Sequence, residues 1–353
     1  DAKRVKLTDT LKYLNNSKID IETKRFTRKY VKENYAKIVE YCIQDAELTR
    51  QLGEYLFDKL EGFEITPCRI YSSASISFQY YATHGKIVTS WRLYNKYPEA
   101  LQYACDAYRG GKFEISARGK FTGHEYDITS AYPYFISQLI DISSAKVKYS
   151  TTYESEAVYG FLRVRINSDG RPHPCGIKYH KSETLIYPSG TFYTTITKVE
   201  YDWLLKNNFD VKLYGGWWFF VRQKRYPYKS NTLHLFSIKD EIKAKDAMLY
   251  GVIKIILNGN YGKMAQVIEQ PDGSFVAGAG WNPVYASYIT AQTRIMVSQV
   301  QLDLGSDCIA VHTDSVMCLN KHDELIGEGL GKFEYVTGGE GILVASGMYQ
   351  IAV

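Results

Sequence analysis

The sequence predicts an α+β fold on three observations. Short strand-like runs alternate with turn residues over 126–221. Helical spacing runs up to residue 63 and again over 231–263, and two carboxylates, Asp127 and Asp314, stand at strand ends far apart in the chain. At 353 residues there is room for about two or three domains with a sizeable core. With 45% hydrophobic and 23% charged residues, and no apolar run long enough to span a bilayer, the composition is globular rather than disordered or membranous. The net charge of +5 permits a polyanionic partner without demanding one. The 31 tyrosines suit a wet stacking surface as well as ordinary packing.

The six cysteines form no CxxC pair and no repeated spacing, which points to a reduced intracellular protein that is not secreted. His173, Cys175 and His180 lack a fourth ligand, so zinc is not expected there. The chain begins at Asp1 without a methionine or a signal peptide and reads as a fragment or a processed piece.

Up to residue 63, apolar positions such as Ile38, Leu48, Leu52 and Leu56 recur at helical spacing, and Tyr41 and Asp45 share one helix face. Taken by itself, that pair reads as part of an ordinary amphipathic helix. Over 64–125, with Pro67 marking its start, the notable run is Tyr108-Arg109-Gly110-Gly111-Lys112. Its glycines allow a close backbone approach beside an aromatic ring and two cations, which suits a phosphate backbone; a plain loop before a strand is the alternative. Next comes Glu125-Tyr126-Asp127-Ile128, strand-forming around Asp127, with Ser130 and Pro133 turning the chain, so that Asp127 sits where a sheet meets a cleft.

The following stretch reads as scaffold: a strand at 159–166, a helix at 197–207 and a strand at 211–221. Over 231–263 two helical segments break near Lys245-Asp246. The first carries Lys239 and Lys243, as a phosphate clamp or as a solvated charge face with Asp240 and Glu241. The second lines up Lys254, Asn258 and Tyr261 at i, i+4 and i+7, with Val252, Ile253, Ile256 and Leu257 on the buried side and Gly262 closing it. Pro271-Asp272-Gly273 marks a hairpin turn, and 284–301 a helix on which Thr290 and Arg294 could reach one phosphate or form a plain helix pair. Lastly, His312-Thr313-Asp314-Ser315 between two apolar runs reads as a tight hairpin with Asp314 at its apex.

With these residues in hand, the chain resembles the family B DNA polymerases, especially their short viral and protein-primed branch. Asp127-x-x-Ser130-x-Tyr132-Pro133 matches the first polymerase motif, Lys254-x-x-x-Asn258-x-x-Tyr261-Gly262 the second, and Thr313-Asp314-Ser315 the core of the third. Tyr108-Arg109-Gly110-Gly111 is similar to the template-strand motif, Thr290-x-x-Thr293-Arg294 to a primer-template contact, and Tyr41-x-x-x-Asp45 to the last proofreading-exonuclease motif. Three departures stand out: His312 occupies the place of a usual aspartate, Gly347 replaces the lysine two residues before Tyr349, and residues 264–282 are short for the strand-displacement insertion.

The resemblance implies a right-hand polymerase palm, an antiparallel sheet with helices on one face, interrupted by a helical-hairpin fingers insertion. Residues 1–63 would end a 3′–5′ exonuclease domain, 64–230 and 283–353 would form the palm, 231–282 the fingers, and the thumb would be absent. It further implies that Asp127 and Asp314 hold two Mg²⁺ ions, or Mn²⁺ in their place, ~3.5–4 Å apart. Lys254, helped by Lys239 and Lys243, would clamp a dNTP, with Asn258 and Tyr261 at the nascent base pair and Tyr132 under the sugar. Ser315 and Tyr349 would join Tyr108, Arg109, Gly110, Gly111, Thr290 and Arg294 as DNA contacts. Primer-template DNA and dNTPs would be the partners, a terminal protein is left open, and no membrane is involved. An infected host cell, or an organelle for a plasmid-encoded chain, would be its place. A reverse transcriptase would show an adjacent aspartate pair where Ser315 follows Asp314, and a catalytically inactive DNA-binding fragment is the other rival.

Overall fold

The computed structural model describes residues 27–66, 68, 72–179 and 184–351. Residues 1–26 of the expected N-terminal helical stretch, together with Pro67 and His180, lie outside them. The chain enters its main sheet through β1 (Lys112–Ile115) and β2 (Gly119–Ile128), then leaves it for a second sheet of β3 (Lys146–Ser150), β4 (Tyr159–Ser168), β7 (Gly190–Thr197) and β8 (Asp210–Phe220). Between β4 and β7, the two-residue strands β5 (Ile177–Lys178) and β6 (Leu185–Ile186) pair with each other. Two helices, Lys229–Ile242 and Ala247–Ala265, follow, and then the small hairpin of β9 (Val267–Glu269) and β10 (Phe275–Ala277). After the Pro283–Leu304 helix the chain returns to the main sheet as β11 (Cys308–Thr313), β12 (Ser315–Cys318), β13 (Phe333–Ala345) and β14 (Met348–Ile351).

The main sheet is antiparallel throughout, in the order β1-β11-β12-β2-β13-β14. Strand side chains alternate between faces, so Tyr126, Ile128, Val311, Val316 and Phe333 share one core with Val297 and Val300 of the Pro283–Leu304 helix. Asp127 and Glu125 alternate with these residues and project from the opposite face. The stretch 146–220 builds a separate four-stranded sheet rather than extending the main one. One side of it closes over a core of its own that contains Leu162, Val164, Phe192 and Trp218.

The helix pair forms where its spacing predicts. Asp246 caps the second helix by accepting from the Leu249 amide at 2.9 Å and also accepts from the Tyr55 hydroxyl at 2.7 Å. Ile253, Ile256 and Leu257 are fully buried. Gly262 does not close this helix, which continues to Ala265, because Met264 still has core to bury. Gly259 has a packing reason: a Cβ there would lie 2.9 Å from Ala74 Cα on the Ser73–His84 helix.

Candidate active site: a two-carboxylate cleft

The register of β12 against β2 sets Ser315 opposite Asp127, and the Ile128 amide donates to the Asp314 carbonyl at 2.9 Å. Residues 127 and 314, nearly two hundred positions apart in sequence, therefore become neighbours on adjacent strands. Both turns adopt left-handed backbone at a non-glycine residue, Ser130 (φ 52°) after the first carboxylate and Thr313 (φ 60°) before the second. Such a conformation costs roughly 1–2 kcal/mol each, which the surrounding packing must offset. Gly111 supports the second turn, since a Cβ on it would lie 2.7 Å from the Thr313 side chain.

The electrostatics are those of a crowded anionic site. Burial, with Asp314 and then Glu334 close by, pushes Asp127 up to about 7. Burial also raises Asp314, against the opposing pull of its own backbone amide and Lys254. These are hard oxygen donors lacking a full countercharge, which fits a divalent cation such as magnesium, an ion held by one or two carboxylates together with substrate phosphates and water. Among the described residues, no group of three His, Cys, Asp or Glu side chains could hold an ion. His173 and Cys175 are buried without forming such a group.

Three lysines face the cleft from the helix pair. Lys239, only 5% exposed, donates to the Ser130 hydroxyl at 3.1 Å, and burial lowers its pKa. Lys243 lies 3.8 Å from Glu334, and Lys254 is exposed, its charge acting on both aspartates. Asn258 donates to the Lys254 carbonyl of its own helix at 2.8 Å. The Tyr132 and Tyr261 rings are 4.5 Å apart, and the Tyr261 hydroxyl bonds to that of Tyr108 at 2.6 Å.

Several expected DNA contacts are internal ties instead. Arg294 is wholly buried: Nε donates to the Pro174 carbonyl, Nη1 to the carbonyls of Arg109 and Gly110, and Nη2 to Glu200. Thr290, equally buried, bonds back to its own helix at Ala286 and Ser287. Neither can reach a phosphate, because the 284–301 face they share is roofed by segments distant in sequence. Arg109 spends its guanidinium on the carbonyls of Asp106, Tyr108 and Gly176. Lys112 is fully buried against Glu114, Ser298 and the His173 carbonyl, so the cation beside Gly111 is structural. Ser315 is buried with its hydroxyl over the His312 carbonyl at 3.4 Å, shaping the turn.

His312 stacks parallel to Tyr349 at 4.8 Å, and its buried Nε2 has no hydrogen-bond partner. The Tyr349 hydroxyl donates to Glu125 at 2.7 Å. Glu125 and Glu334 are the acidic neighbours that sequence reasoning missed. Glu125 was within reach, since strand alternation puts 125 and 127 on one face; Glu334 was not, because it stands opposite Asp127 only through the β13 pairing. Tyr41 and Asp45 lie one turn apart on the Tyr35–Glu61 helix, which touches the helix pair through Tyr55.

The family described as DNA polymerase type B, organellar and viral, matches residues 3–307. The DNA polymerase of Acidianus bottle-shaped virus (isolate Italy/Pozzuoli) is 26% identical over 258 residues, 69% of this chain and 37% of that one. Phi29 DNA polymerase, complexed with primer-template DNA and incoming nucleotide substrates, is similar with a TM-score of 0.70 at 16% identity, over 97% of this chain and 65% of that one. The orthorhombic crystal form of the Phi29 enzyme gives a TM-score of 0.67, also at 16% identity and with the same coverage of both chains. The chain thus spans about a third of the viral relative and just under two thirds of the Phi29 enzyme, whose likeness establishes the fold.

Proposed function

The chain belongs to the organellar and viral type B DNA polymerases, and from that premise we propose that it carries the nucleotidyl-transfer centre of a DNA-directed DNA polymerase. The observation that carries this reading is the meeting of Asp127 and Asp314 on adjacent strands beneath a lysine-bearing helix. In the reaction, the primer 3′-hydroxyl oxygen gives up its proton to water and bonds to the α-phosphorus of a dNTP as the bond to the bridging oxygen breaks and pyrophosphate departs. Asp127 and Asp314 would hold Mg²⁺, or Mn²⁺, which when bound makes the hydroxyl more acidic and neutralises phosphate charge.

The protein groups supply binding and orientation. Lys254 would grip the triphosphate with Lys239, which already bonds to Ser130 in the turn after Asp127, and Lys243, which lies beside Glu334. Tyr132, its ring tilted against that of Tyr261, would lie under the sugar and exclude a 2′-hydroxyl, while Tyr261 and its partner Tyr108 would border the templating base. Primer-template DNA would be read through its backbone and shape. On this reading residues 1–63 end an exonuclease domain, 231–282 form fingers, and 64–230 and 283–353 form the palm. The separate sheet over 146–220 is then an inserted module of the first palm segment.

Primer extension with Mg²⁺ tests the reading. The 353-residue chain adds dNTPs, and Asp127→Asn and Asp314→Asn each abolish addition without loss of fold. DNA binding without any extension, under either metal, would leave a catalytically inactive DNA-binding chain instead.

A further inference from the structure

Away from the cleft, three aromatic rings from two distant segments meet at the surface. Trp91 and Tyr94 belong to the short Trp91–Lys96 helix, and Trp281 comes just before the Pro283–Leu304 helix. Ring centroids are 6.2 Å apart for Trp91 and Tyr94, and 6.5 Å from each of these to Trp281. Trp91 is 44% and Tyr94 50% exposed, so two large rings forgo the burial they would gain in a core. The cluster is nonetheless held firmly. The Ser90 amide and hydroxyl both donate to the Trp281 carbonyl, at 3.4 and 2.9 Å, and Asn282 donates to the Val88 carbonyl at 2.9 Å.

The charges around these rings are positive. Trp91-Arg92-Leu93-Tyr94-Asn95-Lys96 interleaves cations with rings and contains no acid. Lys263 backs onto Gly280, where an added Cβ would lie 3.2 Å from the lysine Cβ. Asp141, near Arg92 through Ser143, is already paired with Lys86. Lys263 shares its helix with Lys254, nine residues away, or about 14 Å along the axis at 1.5 Å per residue. The Trp91–Lys96 helix also runs directly into Pro98–Ala107 and so to Tyr108, the partner of Tyr261. Rigid exposed rings with interleaved cations are the elements that hold unpaired bases, since every base has a face to stack.

We propose that Trp91, Tyr94 and Trp281 form a stacking platform for single-stranded DNA, taking unpaired template bases beyond the primer terminus. This inference rests on the polymerase reading, but its test does not require catalysis. Asp127→Asn protein is titrated into a fluorescein-labelled thymidine dodecamer, and Trp91→Ala/Tyr94→Ala in that background binds about tenfold more weakly. Trp91→Phe/Tyr94→Phe, which keeps the stacking faces, retains most of the affinity. The same oligonucleotide carrying iodouracil crosslinks to peptides containing Trp91, Tyr94 or Trp281. In extension by the chain with Asp127 intact, the double alanine variant loses only the advantage of a long template overhang over a single-nucleotide one. Unchanged dodecamer affinity in a variant of normal thermal stability, or crosslinks confined to other segments, would overturn the proposal. If extension fails in every chain while the crosslinks appear, the polymerase reading falls and the platform stands.

Discussion

Glu200 and Arg294 meet at 2.7 Å with neither side chain reaching solvent. Arg294 also holds the carbonyls of Arg109, Gly110 and Pro174, so one guanidinium ties together the Pro283–Leu304 helix, the loop before β1 and the Pro174 segment. Glu200 in turn caps its own helix by accepting from the Thr197 amide and hydroxyl. The pair acts as a rivet behind the cleft.

Removing one partner leaves the other charge buried alone. Glu200→Ala is expected to cost about 3–5 kcal/mol of stability, seen as a lower denaturant midpoint. Arg294→Met, which removes the charge, should destabilise too, yet leave the salt dependence of DNA affinity unaltered. A slope shallower by about one would instead mark Arg294 as a phosphate contact.

Gly111 and Thr313 make a second testable contact. A methyl at 111 must push against Thr313, whose backbone is already left-handed, and so displace the turn that presents Asp314. Gly111→Ala should slow primer extension by about ten- to a hundredfold, a loss typical of misplaced reacting groups. Thr313→Gly, which removes the obstructing side chain and suits φ 60°, should restore much of that rate in the double variant. If it does not, the contact is not what makes glycine necessary.

The crowded carboxylates predict a ligand effect that can be read without turnover. Mg²⁺ should raise the thermal midpoint of the chain, since binding only to the folded state contributes roughly 2.7 kcal/mol at a hundredfold excess over Kd. Asp127→Asn should abolish that rise. An equal rise in the variant would place the bound ion elsewhere.

A pH effect is expected at the foot of the Asp314 hairpin. There His322 bonds to Asp307 at 2.5 Å and to Glu324 at 2.6 Å, and these carboxylates raise its pKa above the ordinary 6.5. The folded chain thus keeps the proton to higher pH than the unfolded chain does. The clasp contributes its full stability below about 6.5 and loses it as pH rises through the higher folded value. Urea unfolding of the chain should therefore show stability falling over that window, with a flatter profile in His322→Gln. Parallel profiles would remove His322 as the cause.

What was legible in the sequence was local. Asp246 marks the break between the two helices because a short carboxylate can accept from amides left free at a helix start, and apolar residues at helical spacing show which side of the second helix is buried. The polar tip at 312–315 becomes a turn because strand-forming runs enclose it on both sides. Periodicity also put Thr290 and Arg294 on a common face, and they do share one.

It could not say what covers that face. Asp127, Asp314, Lys239 and Lys254 lie in three segments that meet only when β12 pairs with β2 and the helix pair folds over them, and Glu334 joins them only through β13. The chain's own order of residues settled the elements, their chemistry and the family. Tertiary packing alone decided which charges face the cleft and which are sealed inside, because burial depends on segments that arrive from a hundred or more positions away.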